Sequence, residues 1–290
     1  MEKIPNNLTA LITGATSGIG FALTKLLVKT GAIVIGVGRS DQKNLTAKER
    51  ILSEIPEGRL DYFNTDLARP DMLRELAENV KKCLTEKGLT QLDILVNNAG
   101  VYLERKEKTV DGIEKTFAVN HLAQFCLTYY LRPLLNNSQN GRMISVSSYA
   151  HFNTPIKLNR IADPVPYIGL LAYKRSKLCN VLFVRELRKR TSRFSAYAVD
   201  PGLVNTPIGS KSGPGISGLV WSFHRKNGMS PETSAKDLLY MITADDLGPS
   251  DGIYFNERRA IKPSKNAQDD NLAEGLWDLS CELTGLEWRG

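Results

Sequence analysis

Thr13-Gly14-Ala15-Thr16-Ser17-Gly18-Ile19-Gly20 is the stretch that decides the fold. The apolar run Leu8–Ile12 precedes it and the helical pattern Phe21–Lys29 follows it, so it reads as strand, glycine-rich turn and helix N-terminus. Such a turn exposes backbone N–H groups beside the positive end of a helix, which suits a pyrophosphate. Glycines permit positive φ there and let phosphate and backbone come close. Taken alone, the turn is equally an ordinary connection between strand and helix. Its spacing, T-G-x-x-x-G-x-G, differs from the widespread G-x-G-x-x-G fingerprint.

Outward from this stretch, strand-like and helix-like segments alternate. Leu8–Ile12, Ala32–Val37, Leu60–Phe63, Ile94–Val96, Met143–Val146 and Ser195–Val199 read as short strands, with Ile253–Phe255 as a last one. Helical patterns lie around 18–30, 45–55, 71–87, 111–136, 172–192 and 232–244, and a final short helix around 272–284. The alternation predicts an α/β fold: a single domain over 1–290 with a doubly wound parallel sheet and helices on both faces. Two stretches break the rhythm. Residues 151–171 carry Pro155, Pro164 and Pro166; residues 207–230 carry Gly209, Gly213, Pro214, Gly215 and Gly218, then Trp221 and Phe223. Both are expected at the carboxyl edge of the sheet, where ligands bind in this architecture, and the second reads either as an apolar lid or as a surface helix whose aromatics pack on the body. Residues 256–271 read as polar and irregular.

Composition excludes little but bounds the class. With 290 residues, 42% hydrophobic and 24% charged, the chain can bury a full core and is ordinary for a globular protein. The formal charge of +7 is spread along the chain rather than clustered, so it reads as a solvated surface, with no nucleic acid expected as partner. Cys83, Cys126, Cys179 and Cys281 form no C-x-x-C pair and no metal spacing, so they read as reduced thiols with no metal. No secretory signal and no run of about 18 apolar residues is visible, so the expected location is cytoplasmic, without a transmembrane segment.

Chemistry-bearing residues follow in order. The second strand ends Gly36-Val37-Gly38-Arg39-Ser40, with no carboxylate to grip a ribose 2′-hydroxyl; Arg39 can instead pair with a 2′-phosphate, so NADP(H) is favoured over NAD(H). Asp66-Leu67 follows the third strand, where a free Asp can also cap the next helix. Tyr173-Lys174-Arg175-Ser176-Lys177 fits Y-x-x-x-K: four apart on a helix, Tyr173 and Lys177 share a face. An ammonium there is expected to lower the tyrosine pKa toward neutrality and make the phenol a general acid or base. Tyr102 also has a lysine four residues on, Lys106, but it lies in a strongly charged loop after Asn97-Asn98-Ala99-Gly100.

Together these motifs resemble the short-chain dehydrogenase/reductase family over about residues 8–255. The resemblance implies a Rossmann-type fold and assigns roles position by position. The pyrophosphate turn is Gly14, Thr16, Ser17, Gly18, Ile19 and Gly20. Gly38 stands at the family's acidic position, with Arg39 and Ser40 next to it. Asp66 and Leu67 would meet adenine, and Asn98, Ala99 and Gly100 the ribose. Ser148, last of Val146-Ser147-Ser148, would be the catalytic serine, with Tyr173 and Lys177. Asn120 would hold a water in a proton relay. Pro201, Gly202, Val204 and Thr206 match P-G-x-V-x-T at the nicotinamide end. The gap from Ser148 to Tyr173, with Ser147-Ser148-Tyr149-Ala150-His151, is similar to the retinol dehydrogenase and WW-domain oxidoreductase branch. The implied function is an NADP(H)-dependent oxidoreductase interconverting an apolar ketone or aldehyde and its alcohol. A non-catalytic NADP(H)-binding sensor or scaffold is the alternative. The resemblance leaves the assembly open: a homodimer through the helices around 111–136 and 172–192 is one outcome, and an insertion before Tyr173 that obstructs that contact is the other.

Overall fold

Strands form where apolar and β-branched residues run without interruption, and the first two, β1 (Thr9–Thr13) and β2 (Ile33–Gly38), are buried at every residue. Burial on both sides of a strand demands helices on both faces of the sheet. The structure, a computed structural model, describes residues 7–204, 228–247 and 252–288. Its sheet continues with β3 (Arg59–Asn64), β4 (Ile94–Asn97), β5 (Arg142–Val146), β6 (Ser195–Asp200), β7 (Tyr254–Asn256) and β8 (Arg259–Ala260). The spatial order is β3-β2-β1-β4-β5-β6-β7-β8. Every neighbouring pair up to β7 is parallel, and β8 alone joins antiparallel. Order reverses between β1 and β4, which makes their carboxyl ends the switch-point crevice.

Helices α1 (Gly18–Lys29), α2 (Asp41–Leu52) and α7 (Pro231–Thr243) share one core beneath the sheet, with Leu23, Leu27, Ile51 and Leu238 among its fully buried residues. The other face carries α3 (Pro70–Glu86), α4 (Lys115–Phe117), α5 (Ala123–Asn137), α6 (Gly169–Arg190) and α8 (Asp270–Thr284). Strand Ile253–Phe255 is found one residue on, as β7.

Three readings of the sequence need correction. The segment 111–136 is not one helix: Glu114 caps α4 through Thr116 N and Phe117 N, and a π turn, Ala118–Leu122, separates α4 from α5. The irregular stretch 256–271 contains β8, paired to β7 across a turn that Glu257 and Arg258 make with φ of 46° and 65°. The loop 151–171 ends early, since α6 begins at Gly169.

Helix α8 bears on assembly. Trp277 stacks on Phe183 of α6 at 6.0 Å and meets Phe125 of α5 edge-on at 5.2 Å. It therefore covers α5 around Phe125 and α6 around Phe183, on the two helices considered for a homodimer. Of the expected lid, residues 207–227 lie outside the described residues, as does Thr206.

Candidate active site

Strand β1 turns at Gly14, whose φ of 69° costs a glycine nothing. Thr13 sews this turn to the one after β4. Its hydroxyl accepts from the N–H groups of Asn98 and Ala99 at 3.0 Å each, and Asn98 Nδ2 donates to the Thr13 carbonyl at 2.8 Å. A Cβ on Gly20 would strike the Gly14 carbonyl oxygen and stand 2.6 Å from Asn98 Nδ2, so α1 starts tight against bare backbone. Ser17, the N-cap of α1, makes no side-chain capping bond, and no acid stands in the first turn. By contrast α2 is capped, with Ser40 accepting from Lys43 N. The uncapped N–H groups of α1 beside a bare glycine turn fit a phosphate.

The corner after β2 has no room for a carboxylate. A Cβ on Gly38 would collide with Asn44 Oδ1 and lie 2.6 Å from Thr16 Cγ2. Asn44 is fixed there by Nδ2, which donates to the Phe63 carbonyl at 3.2 Å, while its buried Oδ1 finds no hydrogen-bond partner. Arg39 beside it is exposed. Asp66 does not cap α3, whose N-cap is Arg69; its Oδ1 accepts from Ala68 N at 3.0 Å, next to half-buried Leu67.

At the end of β5 two serines part ways. Ser147 is buried and donates to the Lys177 carbonyl at 2.7 Å. Ser148 is half-buried and accepts from Ala150 N at 3.2 Å. Its carbonyl takes the Nδ1 hydrogen of His151 at 2.8 Å, and the other nitrogen of His151 accepts from Ser264 N at 3.1 Å. That pair of bonds fixes His151 as the neutral Nδ1–H form.

Helix α6 brings Tyr173 and Lys177 onto one face. Lys177 is 2% exposed; its Nζ donates to the Val146 carbonyl at 3.0 Å and lies 5.6 Å from the centre of the Tyr173 ring. Burial pulls this ammonium down to about 8, against the opposing pull of Asp200. Burial pushes the Tyr173 phenol up, and the Asp200 carboxylate adds to the rise. The expected fall of the Tyr173 pKa is therefore absent: burial disfavours the phenolate, and the Asp200 carboxylate disfavours it further.

Asn120 sits in the π turn, 2% exposed. Its Oδ1 accepts from Val101 N at 2.7 Å, and its Nδ2 donates to the Val101 carbonyl at 3.0 Å and to Ser176 Oγ at 2.9 Å. The side chain is thus a brace between the turn after β4 and α6. Its main-chain carbonyl accepts from Gln124 Nε2 at 3.2 Å. A Cβ on Gly100 would stand 3.5 Å from both Lys177 Nζ and Asn120 Oδ1, so turn, lysine and asparagine meet at one point. Tyr102 is not in an open charged loop: it is buried, its ring edge-on to Tyr173 at 6.1 Å. Lys106 turns away, donating to the Pro164 carbonyl at 3.1 Å and pairing with Asp163.

A family model described as short chain dehydrogenase matches residues 8–216. The chain belongs to that family. Retinol dehydrogenase 12 of Mus musculus is 35% identical over 99% of this chain and 89% of its own length. WW domain-containing oxidoreductase of Drosophila melanogaster is 31% identical over 95% of this chain and 68% of its own length. A crystal structure from Mycobacterium paratuberculosis has a TM-score of 0.76 at 29% identity, covering 97% of this chain and 95% of that one. A short-chain dehydrogenase from Sphingobium yanoikuyae in complex with NADPH shares the fold, with a TM-score of 0.62 at 22% identity over 80% of this chain and 83% of that one.

Within this short chain dehydrogenase, several contributions had no visible signal in the sequence. Thr13, which opens the glycine-rich stretch, also joins β1 to β4. A polar ladder runs beneath the site: Ser145 donates to Gln124 Oε1 at 2.6 Å, Gln124 Nε2 to Asn180 Oδ1 at 2.5 Å, and Asn180 Nδ2 to the Val146 carbonyl at 3.1 Å. Pro201 and Gly202 follow β6, with Gly202 at φ 78°, and Val204 bridges to Met229. Among the described residues no group of three or more His, Cys, Asp or Glu could hold a metal, and no helix is long and apolar enough to cross a membrane.

Proposed function

We propose that this protein interconverts a ketone or aldehyde and the corresponding alcohol with NADP(H), using Tyr173 as general acid and base. The observation that carries the reading is the buried Lys177 ammonium, held on the Val146 carbonyl beside the Tyr173 ring. The nicotinamide supplies the hydride. The uncapped start of α1, with Gly14, Thr16, Ser17, Gly18, Ile19 and Gly20, would hold the pyrophosphate. Arg39 and Ser40 would hold the 2′-phosphate, since Asn44 and Thr16 leave no space for an acid at Gly38. Asp66 and Leu67 would border adenine, Asn98, Ala99 and Gly100 the ribose, and Pro201, Gly202, Val204 and Thr206 the nicotinamide end.

In reduction Tyr173, kept as a phenol by burial, gives its proton to the carbonyl oxygen while Ser148 donates a hydrogen bond to the same oxygen. Lys177 steadies the phenolate left behind and would pass a proton back from solvent through a water held by Asn120. An apolar substrate suits the rim: exposed Tyr149 stacks on Phe152 at 4.7 Å, and exposed Leu203 follows Gly202. The four cysteines are free, which suits a reducing compartment such as the cytoplasm. The test is NADPH consumption across ketones, aldehydes, quinones and retinal. Turnover of apolar members, abolished in Tyr173→Phe, is the expected result; NADPH binding with no turnover across the panel would favour a sensor without catalysis.

A further inference from the structure

Strand β6 ends in a buried carboxylate. Asp200 is 5% exposed. Its Oδ1 accepts from Gly202 N at 3.0 Å and its Oδ2 from the Tyr254 hydroxyl at 3.3 Å. Two donors, one from the turn after β6 and one from β7, hold it in one orientation. The parallel register pairs Val146 with Val199, so Asp200 lies one residue past the partner of Val146. Adjacent strands run about 4.8 Å apart. The Val146 carbonyl is the one that takes Lys177 Nζ. Carboxylate and ammonium therefore sit over the ends of the same two strands. The titratable groups facing Asp200 are Lys177 and Tyr173 from α6, Tyr254 from β7 and Tyr149 from the turn after β5.

We propose that Asp200 is a positioning residue: its carboxylate is the counter-ion that keeps Lys177 an ammonium in a place nearly sealed from water. The catalytic part of this claim rests on the function proposed above; the charge of Lys177 does not. A buried ammonium loses its hydration and must find a replacement. One carbonyl replaces part of it, and an opposite charge replaces more. Burial also pushes the Asp200 carboxyl up, while Gly202 N–H, the Tyr254 hydroxyl, Tyr149 N–H and Lys177 favour its ionised form. The pair is thus mutually supporting, and it carries a cost. The same carboxylate raises the Tyr173 phenol, biasing the resting site toward the proton-donating form used in reduction. Tyr254 links this pair to the serine side as well: its ring meets His151 edge-on at 4.7 Å, and His151 holds the Ser148 carbonyl.

Asp200→Asn keeps the shape and one acceptor and removes the charge. In lysine-labelled protein, the Lys177 NMR signal, assigned by its loss in Lys177→Met, should titrate about one pH unit lower in D200N than in the unmodified chain. The alkaline fall of kcat/KM for carbonyl reduction should move by the same amount. Equal Lys177 midpoints in the two folded proteins would overturn the proposal. If D200N does not fold, the coupling is read from the other side, because it is reciprocal. In Lys177→Met the Asp200 carboxyl signal should titrate about one unit higher, and an unmoved signal there would equally overturn it. The NMR titration needs no turnover, so a protein that reduces no carbonyl compound would defeat the proposed function without deciding this point.

Discussion

The two ends of the cleft are built in different ways. On the β1–β4 side the site is main chain: a bare glycine turn, an uncapped helix start and the Asn98-Ala99 N–H groups gathered by Thr13. On the β5–β6 side it is side chain: Lys177 on a carbonyl, Ser148 held by His151, and Asp200 held by Tyr254. The first kind of site needs a turn of fixed sequence and little else. The second needs support from distant segments. Ser264 and Tyr254 reach it from the chain's last part, and His121 Nε2 meets Ser280 Oγ of α8 at 2.9 Å. Main-chain sites are written locally; side-chain sites are written across the fold.

The largest effect should fall on the side-chain end. Tyr173→Phe keeps the ring and its contact with Tyr102 but removes the transferable proton, so turnover should drop about 100-fold or more with NADPH affinity nearly unchanged. Tyr102→Phe, with Lys106 turned to Asp163 and Pro164, should leave turnover within a few-fold. Steady-state rates and NADPH titrations of both variants check this. A reversed pair of results would move the acid to the other tyrosine and undo the contrast between the two ends.

Acid should also strike that end first. His121 is fully buried against Phe117, Phe125 and Phe183, and burial pulls it down to about 3. Ser280 gives its hydrogen to the Leu276 carbonyl at 2.7 Å, so His121 is the donor and is the neutral Nε2–H form. With a folded pKa below the unfolded one, the unfolded chain binds the extra proton. Stability is then complete above pH 6.5 and is lost as pH falls from there toward 3. Between pH 6.5 and 4.5 that is about 2 kcal/mol from this group. Burial lowers His151 too, with the same sign. Thermal melts at the two pH values should show the loss, and His121→Leu should flatten it. An unchanged slope in that variant would mean that α8 is not fastened to the π turn through a neutral histidine.

The same division explains what was legible. The alternation of strands and helices, the glycine turn, Asn98-Ala99-Gly100 and the Tyr173/Lys177 face are patterns within a few residues of each other. For Ser148, proposed above as the serine that meets the substrate oxygen, the structure adds that its neighbour Ser147 donates to the Lys177 carbonyl. The π turn was not legible, because the apolar pattern of 111–136 passes straight through it. Nor was the brace from Asn120 to Ser176 (56 residues apart), or the bond from His121 to Ser280 (159 residues apart). Burial of Tyr102 was not legible, because charge in the loop around it says nothing of a ring that turns inward. Burial also reversed the expected direction for Tyr173, and burial is a property of the finished fold.

The smallest effect tests whether the main-chain end is as local as it looks. Arg39→Ala should cut NADPH affinity about tenfold and leave NADH nearly unchanged, since one charge-assisted contact is worth about 1.5 kcal/mol. The corner has one element outside the strand end itself, Asn44 of α2, whose Oδ1 stands where a Cβ on Gly38 would go. Gly38→Asp alone should therefore fail to create an NADH site: the new side chain must displace Asn44 and Thr16, and NADPH affinity falls without a matching gain. Gly38→Asp combined with Asn44→Gly clears the space and should gain NADH affinity over the single variant. Isothermal titration of both cofactors against the three variants reads this directly. A single Gly38→Asp that binds NADH tightly would show that Asn44 moves at little cost, and that cofactor choice here rests on residue 38 and Arg39 alone.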